Sequence, residues 1–93
     1  MAKMIVQRAQ ISEKDVVLEI GAGLGALTIP AARVAKKLYA IEKDPRIMTV
    51  LKGQVFSNCV SNISLIRGNI LQVDIKALGK GTDNGLVVLG NLP

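Results

Sequence analysis

The run Val16-Val17-Leu18-Glu19-Ile20 passes straight into Gly21-Ala22-Gly23-Leu24-Gly25. A short apolar, β-branched run reads as a strand buried on both faces, the habit of parallel sheets. The glycines that follow permit a tight turn and a close backbone approach to whatever lies above it. From Leu24 to Ala35 the apolar positions shift to helical spacing, with Leu27, Ala31 and Val34 on one face. Pro30 must then lie near the first turn or kink the helix. A buried strand, a glycine turn and a helix form the opening unit of a doubly wound α/β fold.

The rest of the chain repeats that alternation. Lys3 to Gln10 has helical spacing, with Ile5, Val6 and Ala9 apolar, and Ser12 to Asp15 makes a polar connection. Lys37 to Glu42 reads as the second strand. Asp44-Pro45 is an N-cap followed by proline at the first helical position. The helix they start carries Ile47, Leu51 and Val55 inward. Ile63 to Ile66 is a third strand, Asp74 to Leu78 a short helix or turn, and Gly79 to Gly85 a polar loop. Leu86 to Leu89 is a fourth strand, apolar throughout and expected to be buried on both faces. Right-handed crossovers give a parallel sheet of order 3-2-1-4. Its ligand crevice lies at the carboxyl ends of strands one and two, beside the switch point where Gly90-Asn91-Leu92-Pro93 emerges.

The glycines alone leave the ligand open, because Gly21, Gly23 and Ala26 also satisfy a dinucleotide fingerprint. Glu19 shifts the balance. A carboxylate beside the turn repels a pyrophosphate but attracts S-adenosylmethionine, which brings an ammonium and a sulfonium. Glu42 lies about twenty residues beyond the glycines, where an acidic side chain meets the hydroxyls of a bound ribose. The alternative for Glu42 is a solvated carboxylate paired with Lys43.

Composition excludes several chemistries. The 93 residues allow one domain, and with no Trp, one Tyr and one Phe its core is built from Val, Ile, Leu and Ala. The chain has no His and a single Cys, Cys59, so it offers neither a zinc site nor an imidazole base. Unpaired Cys59 fits a reducing cytoplasm and reads as a small buried hydrophobe. No apolar run is long enough to span a bilayer, and no signal peptide is evident. Twelve Lys and Arg against seven Asp and Glu give a net charge of +5. Glu19, Glu42 and Asp44 gather at the proposed crevice, leaving the remainder more basic. That suits a polyanion such as nucleic acid, and equally serves as solubilising charge.

Taken together, V-L-E-I-G-A-G-L-G-A-L-T, A-I-E-K-D-P, G-N-I-L-Q-V-D and the final G-N-L-P resemble the ribosomal RNA adenine N6,N6-dimethyltransferases, with the erythromycin-resistance rRNA methyltransferases as close cousins. The likeness runs from about Ile5 to Pro93. It implies a Rossmann-like class I methyltransferase fold holding S-adenosylmethionine, and a small-subunit rRNA substrate. The implied cofactor residues are Glu19, Gly21, Ala22, Gly23, Glu42, Lys43, Asn69, Ile70 and Asn91. Asn91, Leu92 and Pro93 would form the catalytic segment. The Asn91 side-chain oxygen and the Leu92 carbonyl would accept the two hydrogens of the target amine and aim its lone pair at the methyl group.

The resemblance also carries departures. Gly68-Asn69-Ile70 stands where the family usually has G-D-A, so Asn69 would receive the cofactor's adenine amine without charge assistance. Nothing before Ile5 matches the family's Q-N-F-L-type segment, and the sequence stops at Pro93, just before the aromatic that the resemblance would place next. The expectation is a partial, truncated methyltransferase domain spanning 1–93, lacking the C-terminal part of the domain and the helical RNA-contacting domain, and inactive alone. With its sheet cut short, strand 86–89 is expected to invite self-association. Other readings of the same residues are a methyltransferase of this fold with another substrate, an NAD-dependent oxidoreductase, and a non-catalytic nucleic-acid-binding relative.

Overall fold

The computed structural model describes residues 11–22, 25, 28–72, 74–78 and 86–90. The helix expected over 3–10 lies outside them. Four parallel strands form one sheet: β1 (Val16–Ile20), β2 (Lys37–Glu42), β3 (Ile63–Arg67) and β4 (Leu86–Gly90). Their order is β3-β2-β1-β4, as the crossover rule requires. The register sets Glu19 beside Ala40 of β2 and Leu89 of β4, and Ile20 beside Ile41 and Gly90.

In-register parallel strands share side-chain faces. Val17 and Glu19 therefore lie on the same face as Leu38 and Ala40, with Leu89 beyond. That face packs in one apolar cluster with Ala31, Ala32 and Ala35, and with Met48 and Leu51. The first three belong to α1 (Thr28–Val34) or directly follow it, and the last two to α2 (Pro45–Ser57). Alanines at this contact let α1 sit close to the strands.

α1 begins where the glycine turn ends. The Ile29 amide donates to the Gly25 carbonyl at 3.2 Å, so the turn supplies an acceptor to the first helical ladder. Pro30 falls in the first turn, where its missing N–H costs nothing. Val34, expected inward, is exposed, because the buried face is set by Thr28, Ile29, Ala31 and Ala32. The far end of α1 is held by Asn62, whose Nδ2 donates to the carbonyls of Ala32 at 2.7 Å and Ala35 at 3.0 Å.

α2 starts as expected. The Asp44 side chain accepts from the Arg46 amide at 2.9 Å, and Pro45 opens the helix. The Arg46 side chain pairs with Asp44 and holds its carboxyl below the usual range. The inward face differs from the expectation of Ile47, Leu51 and Val55. Met48 and Leu51 are buried, while Ile47 and Val55 are half-buried. β3 is the sheet's outer strand on that side, so the helix covers less there.

Cys59 corrects another expectation. It is exposed and follows α2 in a left-handed conformation, φ 55°. The Cys59 amide donates to Phe56 and the Val60 amide to Val55, the paired bonds of a Schellman end. Cysteine occupies the position where glycine is usual.

A 3-10 turn (Ile70–Gln72) and a one-turn helix α3 (Ile75–Leu78) lead toward β4. β4 is not buried on both faces throughout. Leu89 is buried but Val88 is 51% exposed, because β4 is the edge of the sheet and pairs only with β1 among the described residues.

Candidate cofactor site

The carboxyl ends of β1 and β2 are strapped together. The Gly21 and Ala22 amides both donate to the Ile41 carbonyl, at 2.9 and 3.2 Å. Gly21 adopts φ +70°, which glycine tolerates without strain. A Cβ built on it would meet no described residue within 4 Å, so the space beside Gly21 is open among the described residues. Ala22 beside it is buried. The Gly68 amide donates to the Glu42 carbonyl at 3.1 Å, bringing the end of β3 to the same rim.

Glu19 lies beneath this turn and is 1% exposed. Thr28, the first residue of α1, is fully buried and donates its hydroxyl to Glu19 Oε1. Burial pushes the Glu19 carboxyl up to about 7, and the Thr28 hydrogen bond pulls in the opposite direction. The sequence argument treated Glu19 as a fixed negative charge. In the fold it is a carboxyl close to half-protonation at neutral pH, because apolar neighbours have replaced its water. A nearby cation would restore the charge, whereas a phosphate would not.

Glu42 is also buried, at 7% exposure, and its Oε2 accepts from the Asp44 amide at 3.3 Å. The solvated surface glutamate is thereby excluded. Lys43 points to solvent. Two buried carboxyls thus stand at adjacent strand ends below and beside the open glycine turn. Two carboxyl acceptors in this arrangement fit a ligand that combines a cationic end with a nucleoside diol.

Asn69 directly precedes the 3-10 turn. Its Oδ1 accepts from the Leu71 amide at 3.0 Å and its carbonyl accepts from the Gln72 amide. The side-chain oxygen expected to meet an adenine is therefore engaged locally, with one lone pair remaining. Ile70 contributes backbone to this turn. Gly23 and Asn91, Leu92 and Pro93 lie outside the described residues. β4 does deliver the chain to Gly90 beside Ile20, at the same sheet end. Among the described residues, no cluster of His, Cys, Asp or Glu could hold a metal ion. No described helix is long and apolar enough to cross a membrane.

Sequence reasoning missed Thr28. Its signal was a buried-type position at the head of an alanine-rich helix, but the partner nine residues upstream becomes visible only once the turn folds back. The role of the Asp44 amide in orienting Glu42 was missed for the same reason.

Comparison with known proteins gives consistent matches. A family model described as ribosomal RNA adenine dimethylase matches residues 1–93. Ribosomal RNA small subunit methyltransferase A of Desulforapulum autotrophicum is 48% identical over 92 residues, covering 99% of this chain and 32% of that protein. A dimethyladenosine transferase from Plasmodium falciparum superposes with a TM-score of 0.81 at 28% identity, covering 99% of this chain and 31% of that one. An RNA methyltransferase from Salinibacter ruber, in complex with S-adenosyl-L-homocysteine, superposes with a TM-score of 0.74 at 25% identity. It covers 81% of this chain and 50% of that one. The chain spans about a third of the length of the curated relatives it matches.

Proposed function

The chain belongs to the ribosomal RNA adenine dimethylase family, and from that premise we propose that it forms the S-adenosylmethionine-binding part of an enzyme that dimethylates adenine N6 in small-subunit rRNA. The observation that carries the cofactor assignment is buried Glu19 under an open glycine turn, with buried Glu42 at the neighbouring strand end. The substrate assignment rests on the names of the relatives.

When bound, S-adenosylmethionine supplies a methyl group activated by its sulfonium. The protein's residues hold and orient. Glu42, fixed by the Asp44 amide, accepts hydrogen bonds from the ribose diol, and charge assistance strengthens them. Glu19 attracts the cationic end. Gly21 leaves room for the ligand backbone. Asn91 and Leu92, which follow β4 in the sequence, would accept hydrogen bonds from the target amine through the Asn91 side-chain oxygen and the Leu92 carbonyl, and so aim its lone pair. Held there, the cofactor would supply the methyl group to N6, and the target amine would give up one N–H proton to solvent for each methyl it accepted. Positioning and electrostatics supply most of the acceleration, so no strong base is required. The net charge of +5 suits an RNA partner. The free thiol of Cys59 suits a cytoplasmic setting.

Calorimetry with S-adenosylmethionine and with NAD tests the cofactor. Tighter binding of NAD would overturn the assignment. Transfer of labelled methyl to unmethylated small-subunit RNA by the full-length protein, lost in Asn91→Ala, tests the reaction. Retained transfer would remove Asn91 from its role.

A further inference from the structure

We propose that Thr28 is a positioning residue for cofactor recognition: its buried hydroxyl holds the Glu19 carboxyl beneath the glycine turn, so that this side chain reads the cofactor's cationic groups and couples their binding to proton release. This rests on the cofactor reading above and deepens it.

The geometry gives Thr28 little other work. It is the first residue of α1, it is fully buried, and its one hydroxyl proton goes to Glu19 Oε1 across the turn. The surroundings of the carboxyl are apolar. Ala40 stands beside it on β2, Leu89 stands beside it on β4, and Ala31 and Ala32 line the buried side of α1. Charged groups on the packed elements lie elsewhere. Glu42 is two residues beyond Ala40 on the same sheet face and is itself acidic. Asp15 precedes the opposite end of β1, and Lys37 opens β2 at that same end. On α1, Arg33 is exposed and donates to Asn58. On α2, Arg46 pairs with Asp44 and Lys52 is exposed. Among the described residues no cation is placed against Glu19: Arg46 is engaged with Asp44, Arg33 and Lys52 are exposed, and burial and the Thr28 hydroxyl set the state of its carboxyl.

A carboxyl buried in this way keeps its proton to higher pH than usual, and here to about 7. An ammonium and a sulfonium brought beside it favour the carboxylate. The proton therefore leaves the carboxyl for solvent as the ligand binds. By linkage, affinity falls as pH drops below about 7, approaching about tenfold per pH unit. The Thr28 hydrogen bond favours the carboxylate, so it sets where on the pH scale this fall begins.

The test is calorimetry of S-adenosylmethionine binding to the full-length protein between pH 6 and pH 8.5. Two buffers of different ionisation enthalpy count the protons released. Carboxyl NMR of Glu19 in the ligand-free protein reads the titration directly. Wild type should release protons on binding near neutral pH. Thr28→Val should raise the Glu19 midpoint and weaken binding more at pH 6.5 than at pH 8.5, and Thr28→Ser should restore both. Glu19→Gln should abolish proton release. An unchanged midpoint and proton count in Thr28→Val would overturn the role of Thr28, as would a ligand-free Glu19 titrating at its ordinary 4.5. A merely structural threonine would lower the melting temperature and move neither readout. No binding by wild type at pH 8.5, or unaltered affinity in Glu19→Gln, would instead sink the cofactor reading, and the proposal with it.

Discussion

Leu51 of α2 packs against the glycine turn at Gly25, its Cδ1 standing 3.2 Å from where a Cβ on that glycine would be. The second helix thus braces the turn that shapes the candidate site. Gly25 adopts φ +90°, outside the ordinary range of side-chain-bearing residues. Among the described residues Gly21, at φ +70°, has open space instead of a neighbour.

Two alanine substitutions should therefore separate. Gly21→Ala should cost about 1 kcal/mol of folding stability, the ordinary penalty of a left-handed residue, yet block ligand binding because its methyl enters the open space. Gly25→Ala should cost more, by a further ~1–3 kcal/mol for crowding a fixed core side chain. Urea denaturation of both variants measures the difference, and equal losses would show that Leu51 moves aside freely.

The Glu19 carboxyl makes folding stability depend on pH. Its folded value of about 7 lies above the ordinary 4.5, so between these limits the folded protein holds more protons than the unfolded chain. Stability contributed by this group should fall as pH rises from 4.5 to about 7, and stay level above that. At about 1.4 kcal/mol per pH unit the whole fall is about 3 kcal/mol. Glu19→Gln should lack this fall and gain on wild type between pH 4.5 and pH 8. Parallel stability curves for the two proteins would refute it.

Glu42→Ala should weaken S-adenosylmethionine binding by about 1.5–3 kcal/mol, the loss expected for a charged hydrogen-bond partner. Glu42→Gln should cost less. The carboxylate is buried against the Asp44 amide, so a melting curve should accompany each calorimetric titration. Normal affinity in both variants would leave Glu42 a purely structural role.

Cys59 holds a backbone conformation that favours glycine, and its side chain is exposed. Cys59→Gly should then stabilise the protein by about 1 kcal/mol, since the strain of a left-handed non-glycine residue disappears and no packing is lost. Thermal unfolding compared with Cys59→Ala checks it. Equal melting temperatures for the two variants would mean that the strain is negligible.

Among the described residues β4 pairs on one side only, carries the exposed apolar residue Val88, and has no charge or proline within it. The 93-residue chain is expected to self-associate there, and Val88→Lys should raise its monomer fraction in sedimentation. A compact wild-type monomer at high concentration, with strand-four amides protected from exchange, would count against this.

The sequence by itself determined the alternation of strands and helices and the parallel order of the sheet, and it pointed to the strand ends where the candidate site lies. These follow from local causes. Apolar runs, the glycine turn and the Asp44-Pro45 start act within a few residues, and chirality restricts how the strands connect. The family was legible because V-L-E-I-G-A-G-L-G-A-L-T and G-N-L-P are local strings. Burial was less legible. Val34 turned outward, Met48 took the place expected for its neighbours, and Cys59 ended a helix instead of filling the core, because helix phase and ending depend on what packs opposite. Only the tertiary structure decided the electrostatics. Glu19 acquired a proton affinity near neutrality and a threonine partner nine residues away, and Glu42 acquired a backbone donor. Charge state depends on desolvation, and desolvation belongs to the assembled sheet and helices rather than to any stretch of the chain.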